Sequence, residues 1–274
     1  MKTLKDTLKE SLLDDFGSQA KDLRKEQITK WLKKNNETKN TPFVINEDFT
    51  VDIKDFNYIG VGDFPEYINF RNCNGDFTLD RCCMTSLRGC PSYVKWDFNC
   101  SDNVLKSLKG APKYIGNEFN CEYNELTSLE GGPEDVGNSY ICSNNKLVSL
   151  KGCPRYIQGD FACYNNELAS FKYGPEKVGG GFDCSYNRLK TLNGGPKEVE
   201  GSFNCSNNQL TSLEGSPKEV GGDFYCSYNR LKTLNGGPKE VGGSFYCYGN
   251  KLTSLEGSPK EVGGNMHCAG NPIP

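Results

Sequence analysis

Nine cysteines recur in this chain, each 21 positions after the last. A fixed period of this length is typical of proteins that stack one short structural unit on the next, because each unit must place the same core residues at the same point. The spacing therefore predicts an elongated solenoid and not a catalytic cysteine cluster. The nine residues are Cys100, Cys121, Cys142, Cys163, Cys184, Cys205, Cys226, Cys247 and Cys268.

The residues around each cysteine repeat as well. Nine units follow one another from Phe77 to Asn265 without an insertion, and a tenth begins at Met266. Their general form is F-x-C-x-x-N-x-L-x-x-L-x-G-x-P-x-x-V, followed by three positions that are mostly Gly, Ser or Asp. Phe and Cys are two positions apart, so on a strand their side chains point the same way. We expect them to form the core together with the two leucines and the valine.

One asparagine in each unit forms a second column. A buried amide offers two donor hydrogens and an acceptor, so it can satisfy the backbone where the strand ends and connect neighbouring units. We predict a structural ladder that consists of Asn103, Asn124, Asn145, Asn166, Asn187, Asn208, Asn229, Asn250 and Asn271.

This pattern resembles the leucine-rich repeat family, whose signature is L-x-x-L-x-L-x-x-N/C-x-L. Phe203, Cys205 and Asn208 match its strand and its asparagine, and Leu210 and Leu213 match the leucines that follow. Among subtypes it is similar to the short repeats of effectors secreted by enteric bacteria. The resemblance implies a β-rich solenoid, a right-handed coil with a parallel concave sheet. It also implies a protein-binding module, which acts on a host protein in the case of an effector.

The N-terminal segment predicts two short amphipathic helices before the solenoid. Gly17 and Ser18 indicate a break between them, with Ser18 as the N-cap of the second helix. Residues 1–16 also resemble leader helices on proteins of large bacteriophages. The helices either cap the solenoid or dock onto another protein. Their apolar sides are formed by Leu4, Leu8, Leu12, Leu13 and Phe16 in the first helix and by Leu23, Ile28, Trp31 and Leu32 in the second.

We divide the chain into three parts. Residues 1–42 form the helical segment and a polar linker, residues 43–76 form an N-terminal cap, and residues 77–274 form the repeats. The cap is expected because the first repeat has nothing stacked on one side. Alternating Phe49, Val51 and Ile53 predict a half-buried strand within it.

A near-duplication within the repeats indicates where the functional surface lies. Residues 182–202 and 224–244 agree at 19 of 21 positions, and residues 203–223 and 245–265 differ at only five. Those five lie on or beside the strand that we expect to be exposed, while the core residues are unchanged. Change after a duplication has therefore concentrated on the predicted concave face, although drift on any exposed surface would also spare the core.

That face combines tyrosine with asparagine, serine and acids, a mixture that recognition loops use for contacts at low entropic cost. The acids argue against nucleic acid and for a protein partner with a neutral or basic surface. Three alternatives stay open: tyrosines that only stack along the sheet, a glycan ligand, or a phage-particle component docked through its N-terminal helix. The predicted partner-binding residues are Tyr123, Tyr164, Asp183, Tyr186, Asp223, Tyr225, Tyr228, Tyr246, Tyr248 and His267.

Other functions lack the residues that they need. His267 is the single histidine, and it stands in the unfinished last unit, where we expect it to be solvated. Cysteines near the first units contain no C-x-x-C pair, which structural zinc sites usually have. We therefore expect no enzyme, no metal and no cofactor.

Composition bounds the compartment. The net charge is −3, the chain has no apolar run long enough to span a membrane, and the N-terminus lacks the apolar segment of a secretory signal. Fourteen cysteines without such a signal indicate reduced thiols in a cytoplasm, that of a bacterial host if the chain is phage-encoded. We also expect no disulfides along the column, because in-register side chains stay near the ~4.8 Å strand spacing, wider than a bridge requires.

Overall fold

The computed structural model describes the backbone of residues 4–274 and the side chains of residues 17–274. It is a parallel β-solenoid preceded by one helix, which confirms the predicted fold class. We name each turn by the residue that begins its strand in the largest sheet, so turn 203 begins at Phe203, and we count positions from that residue.

The largest sheet, here the main sheet, has eleven parallel strands, one from each turn. Because the units are all of the same length, the strands pair in register, for example Phe203 with Phe224. The sheet already begins at Phe56, one turn before residue 77. Its strands are Phe56–Asn57, Phe77–Thr78, Phe98–Asn99, Phe119–Asn120, Tyr140–Ile141, Phe161–Ala162, Phe182–Asp183, Phe203–Asn204, Phe224–Tyr225, Phe245–Tyr246 and Met266–His267.

A second short strand in each turn forms the opposite side of the coil, which we call the second face. This face was not predicted from the sequence. It consists of two six-stranded sheets. The first contains Phe43–Ile45, Val51–Ile53, Phe70–Cys73, Tyr93–Val94, Tyr114–Ile115 and Asp135–Val136. The other contains Tyr156–Ile157, Lys177–Val178, Glu198–Val199, Glu219–Val220, Glu240–Val241 and Glu261–Val262.

The core between the two faces consists of stacked columns. The rings of Phe182, Phe203 and Phe224 lie nearly parallel, with interplanar angles of 8° and 7° between neighbours. From Cys100 to Cys247 the cysteine column beside them is fully buried, and burial raises the pKa of the Cys184 and Cys205 thiols well above their usual value. These thiols therefore stay protonated and act as small apolar core groups.

Turn 140 interrupts this regular core. Tyr140 stands where nearly all other turns have Phe, and its ring is turned by 65° from Phe119 and by 40° from Phe161. Its hydroxyl is buried without a hydrogen-bond partner among the described residues. The two sheets of the second face also meet here, between Asp135–Val136 and Tyr156–Ile157. The main sheet alone runs unbroken through this turn.

One disulfide contradicts the sequence-based expectation. Cys247 and Cys268 are bonded, and their Cα atoms are 4.7 Å apart. Disulfides span Cα separations of roughly 4.4–6.8 Å, so the strand spacing that we took as too wide is compatible with a bridge. The other twelve cysteines, all in the described part of the chain, are free.

A single helix, Leu4–Asn35, occupies the region where we predicted two. The predicted break at Gly17 and Ser18 is wrong. A glycine inside a helix costs about 1 kcal/mol relative to alanine, which does not by itself end a helix that continues on both sides. The apolar stripe predicted for residues 4–16 lies outside the described side chains. The described helix is too polar to cross a bilayer.

The last turns of the helix cover the first turn of the solenoid. Ile28 and Leu32 are buried, and the ring of Trp31 stacks on Tyr58 at 5.8 Å and meets the edge of Phe64 at 5.5 Å. This part of the helix therefore closes the N-terminal end of the core. Leu23, which we placed on the same apolar side, is instead 67% exposed, because the stripe that faces the solenoid begins only at Ile28.

Candidate partner-binding face

The asparagine column fixes the end of each main-sheet strand. In turn 203, the Asn208 amide donates to the backbone oxygens of Cys205 at 3.2 Å, Ser206 at 3.2 Å and Cys184 of the preceding turn at 3.1 Å. Its side-chain oxygen accepts the N–H of Leu189 at 2.9 Å. Each such amide thus connects two turns. Bonds of this type are made by Asn103, Asn124, Asn145, Asn166, Asn187, Asn208, Asn229, Asn250 and Asn271.

Position five, just before that asparagine, has a left-handed backbone in every turn from turn 77 onward. Asparagine and glycine adopt this conformation readily, but bulky side chains rarely do. Three tyrosines nevertheless stand here: Tyr123, Tyr186 and Tyr228, with φ of 51°, 52° and 55°. They are 50%, 59% and 62% exposed, so burial does not compensate the strain. Strained residues of this kind cluster at functional sites.

The last three turns carry a group of stacked rings on the outer side of the main sheet. Tyr225, Tyr246 and His267 occupy position two and follow one another in register. Neighbouring ring centroids are 4.6 and 4.7 Å apart, and the planes differ by 5° and 9°. Tyr248, at position four, lies 6.1 Å from Tyr246 and 5.9 Å from His267. We call these four residues the C-terminal aromatic cluster.

Tyr228 lies next to this cluster, since its N–H donates to the backbone oxygen of Tyr248 at 2.8 Å, and its ring approaches a glycine of the next turn. A Cβ atom on Gly249 would come within 2.8 Å of the Tyr228 ring. The absence of a side chain there gives the ring room to lean over the next turn. The corresponding pair two turns earlier is Tyr186 and Asn207, where the second residue keeps its side chain.

Asp223, a predicted partner-binding residue, is held by two hydrogen bonds. Its carboxylate accepts the N–H of Ser244 at 2.6 Å and the hydroxyl of Tyr225 at 2.7 Å. The Ser244 N–H, followed by the Tyr225 hydroxyl, lowers the pKa of Asp223. In turn, this carboxylate raises the pKa of Tyr225 to about 12. Asp223 therefore orients Tyr225 as a hydrogen-bond donor and does not present a free charge.

The bond that Asp223 accepts from the Ser244 N–H belongs to a second ladder, which was not predicted from the sequence. At position 21, the side-chain oxygen accepts the backbone N–H of the same position in the next turn. Asp97 accepts from Glu118 at 3.1 Å, and Ser202 accepts from Asp223 at 3.0 Å. The signal was present in the sequence, since nearly all residues at this position are Asp, Ser, Asn or Gly.

Asp183 is also engaged within the sheet. Its carboxylate accepts the N–H of Ser185 at 2.9 Å and the amide of Asn204 at 3.3 Å. Asn204 makes the equivalent bond to the N–H of Ser206 at 3.1 Å. From turn 182 to turn 266, position two thus carries two kinds of side chain: asparagine and aspartate that bond to their own strand, and aromatic rings that stack on one another.

The predicted partner-binding residues therefore fall into separate groups. Four of them form the C-terminal aromatic cluster, and Tyr228 adjoins it. Tyr123 and Tyr164 lie near the middle of the sheet, where burial raises the pKa of the half-buried Tyr164 and a hydrogen bond to Asn144 opposes the shift. Tyr186 stands between the two groups, and Asp183 and Asp223 take part in the sheet's own hydrogen bonds.

The second face has further features that were not predicted from the sequence. A groove of about 1530 Å³ runs along it, lined by the repeated Lys-Glu-Val segments and adjacent glycines of residues 194–263. Glu219, Glu240 and Glu261 stand in register there. Further toward the N-terminus the same face exposes large aromatic side chains: Tyr93, Trp96, Tyr114 and Tyr156.

The chain matches no protein-family profile and no curated protein. Among solved structures it is similar to YopM from Yersinia enterocolitica WA-314, with 16% sequence identity and a TM-score of 0.45. The match covers 80% of this chain, and it spans 65% of the length of the YopM chain. A likeness of this size does not establish a common partner.

Proposed function

We propose that this protein is a non-enzymatic binding protein that holds a protein partner on the outer face of its main sheet. The main contacts come from the C-terminal aromatic cluster and from Tyr228. The observation that carries this proposal is the concerted difference between residues 182–223 and 224–265. Asp183, Asn204 and Ser206 of the first copy correspond to Tyr225, Tyr246 and Tyr248 of the second.

Those three exchanges put three rings into one group, and two further features serve the same group. Gly249, in place of Asn207, makes room for the Tyr228 ring. Asp223 holds the hydroxyl of Tyr225. Drift on an exposed surface would give scattered changes, whereas these changes assemble one aromatic surface. Tyrosine and tryptophan supply large rigid contact areas in binding sites of this type.

The face is large enough for a protein. Eleven strands at ~4.8 Å spacing give it a length of roughly 50 Å. A standard protein interface needs about 800 Å² on each partner. The second face supports recognition less well, because its groove repeats the same Lys-Glu-Val segment in four successive turns. Specific recognition is better served by a surface whose residues differ from turn to turn.

A glycan is the competing ligand, and the arrangement of the rings determines which of them a sugar could contact. Sugars pack their C–H groups on the faces of aromatic rings. In the stack of Tyr225, Tyr246 and His267, neighbouring rings cover one another at 4.6 and 4.7 Å. The glycan alternative therefore depends on the exposed Tyr123, Tyr186 and Tyr228. Loss of binding in the presence of soluble sugars would favour it.

We further propose a reducing compartment, and a bacterial or phage effector that acts on a host protein there. The twelve free cysteines support the compartment, the Cys247–Cys268 disulfide counts against it, and the effector role rests on the resemblance of the repeats. Packaging into a phage particle would depend on residues 1–16, whose side chains lie outside the described part. A reporter fused to residues 1–42 tests this alternative by its recruitment into particles.

The test is an affinity capture from bacterial lysate with matched baits. One bait is the intact protein, and another carries Tyr225→Asp, Tyr246→Asn and Tyr248→Ser, residues that the first copy already accommodates. A third carries Lys218→Gln and Glu240→Gln on the second face as a control. We expect a partner that the first and third baits retain and the second loses. Equal capture by all three would overturn the proposal.

A further inference from the structure

The middle of the outer face holds carboxylates without partners. Glu118 precedes the strand of turn 119, and Glu122 occupies position four of the same turn. Neither carboxylate has a hydrogen bond or an ion pair with another described residue, and both side chains are half-buried. Glu118 also departs from the ladder at position 21, where shorter side chains bond to the next turn. Its carboxylate is thus left on the face.

The surroundings of Glu118 are negative. Burial raises the pKa of Glu118, and the carboxylates of Asp97, Glu122 and Asp160 raise it further. Asp97 and Asp160 each accept backbone or amide hydrogens within the sheet. Within residues 17–274, no three acidic, histidine or cysteine side chains are placed to hold a metal ion.

An apolar floor adjoins these acids. Ile141 and Ala162 occupy position two of turns 140 and 161 and pair in register. Every other turn has a polar or aromatic side chain at this position. A side chain with an aliphatic stem and a charged head could therefore lie with its stem on this floor and its head beside Glu118 and Glu122.

A further polar atom at this place lacks a partner. Ser143 is fully buried, and its hydroxyl has no hydrogen-bond partner among the described residues. It stands in the position-four column between Glu122 and Tyr164, on the outer side of the sheet. Unsatisfied buried polar atoms in a native structure require an explanation, and a ligand that supplies the missing bonds is one.

We propose that Glu118, Glu122, Ile141, Ser143 and Ala162 form a site for a lysine or arginine side chain of the protein partner. This inference rests on the proposed function and specifies the partner's chemistry. The carboxylates pair with the cationic head, and Ile141 and Ala162 contact its stem. Tyr123 and Tyr164 flank the site, and an aromatic ring attracts a cation placed over its face. Charge-assisted hydrogen bonds of this kind are roughly twice as strong as neutral ones.

The site can be tested without the partner. The protein is labelled on its isoleucine and alanine methyl groups and titrated in an NMR experiment with N-acetyl-arginine amide and, separately, with N-acetyl-lysine amide. N-acetyl-citrulline amide is the uncharged control of the same shape as the arginine compound. We expect saturable shifts at the Ile141 and Ala162 methyl groups with at least one cation, and binding about tenfold weaker with citrulline.

A matched pair of variants then tests whether the carboxylates of Glu118 and Glu122 cause the preference for the cation. The double variant Glu118→Gln, Glu122→Gln should remove the preference for the cation, while Glu219→Gln on the second face should leave it unchanged. Equal shifts with arginine and citrulline, shifts spread over the whole face, or displacement of the cation by calcium ions at matched ionic strength would overturn the inference. The proposed function fails separately, since it depends on the C-terminal aromatic cluster and on capture of a partner.

Discussion

Residues 182–223 and 224–265 have the same core and different outer faces. In both copies a phenylalanine, a cysteine and an asparagine hold the strand, and the asparagine amides make the same bonds at Asn187 and Asn229. On the outer side, the first copy presents Asp183 and Asn204, which bond to their own strand. The second presents Tyr225 and Tyr246, which stack. The fold therefore determines the core, and the face is free to vary.

The comparison also separates two kinds of polar residue. Buried amides and the short side chains of position 21 connect the turns, so their loss should affect stability. Residues of positions two, four and five on the outer face should affect binding far more than folding. This distinction holds only if equivalent substitutions in the core change the stability of the two copies equally, and equivalent substitutions on the outer face change binding unequally.

The largest effect is expected from the asparagine column. Replacing Asn187 or Asn229 by leucine leaves the backbone groups that each amide satisfies without partners, at about 1–3 kcal/mol per buried group. We expect each variant to lose about 3 kcal/mol in the free energy of unfolding, measured by urea denaturation. The comparison requires the two losses to be equal. A loss in one copy alone would mean that the copies do not share a core, and an unchanged curve would remove the structural role of the ladder.

A smaller change of opposite sign is expected at turn 140, which departs from the core that both copies share. Tyr140→Phe removes a buried hydroxyl that has no partner. Because an unsatisfied buried polar group costs about 1–3 kcal/mol, this variant should be about 2 kcal/mol more stable than the natural protein. The reverse change, Phe161→Tyr, should destabilise. Thermal melting of both variants checks the sign, and a less stable Tyr140→Phe would show that the hydroxyl has a stabilising role.

Replacing a tyrosine that has a left-handed backbone should change the free energy of unfolding by about 1 kcal/mol. Tyr186→Asn and Tyr228→Asn place a residue that tolerates this backbone where a bulky one is strained, so each should stabilise the fold by about 1 kcal/mol. The stability gain should be the same in both copies. Binding should weaken more with Tyr228→Asn, which adjoins the C-terminal aromatic cluster. Equal effects on binding would place the contact surface across both copies.

The smallest effect concerns pH and the bond between Asp223 and Tyr225. Hydrogen bonds from the Ser244 N–H and then from the Tyr225 hydroxyl lower the pKa of Asp223 in the folded protein. The stability that Asp223 contributes is therefore present above the pKa that it has in the unfolded chain, and it is lost as the pH falls through the pKa of the folded protein. Asp223→Ser, with the residue found at 202 and 244, should flatten the acid branch of the stability curve.

The contribution of Tyr225 to stability depends on pH in the opposite direction. Asp223 raises the pKa of Tyr225 to about 12 in the folded protein. The stability that Tyr225 contributes is therefore present below the pKa that it has in the unfolded chain, and it is lost as the pH rises through about 12. Ultraviolet titration of tyrosinate should lose one of the late ionisations in Tyr225→Phe, and in Asp223→Ser that ionisation should move to lower pH. No difference among the three proteins would show that the bond is absent in solution.

The sequence was sufficient for the fold because one period determines most of it. Since every unit has the same length, Phe203 and Cys205 must repeat at the same point of every turn, and a buried core is the consequence. The second face was not predicted because its strands have only two residues each in most turns, such as Glu219–Val220. Segments this short show no alternation, and their pairing depends on the position of the neighbouring turn.

Two further kinds of feature could not be predicted from the sequence: the local backbone conformation and the contacts between turns. The sequence placed Tyr186 and Tyr228 on the face but did not reveal that their backbone is left-handed. It also did not show that Asp183 and Asp223 bond within the sheet, which reduces their availability to a partner. Gly17 was read as a break, although a glycine flanked by helical residues on both sides can remain inside a helix.

The measurement that tests the central claim most directly is the affinity of the captured partner for three purified proteins. They are the natural protein, the variant with Tyr225→Asp, Tyr246→Asn and Tyr248→Ser, and the second-face variant with Lys218→Gln and Glu240→Gln. Removing contacts worth about 2 kcal/mol or more corresponds to roughly 30-fold weaker binding. We expect this loss for the first variant, with an unchanged free energy of unfolding to within about 1 kcal/mol, and no change in affinity for the second. Unchanged affinity in the first variant, or loss in the second, would contradict the assignment of the outer face as the binding surface.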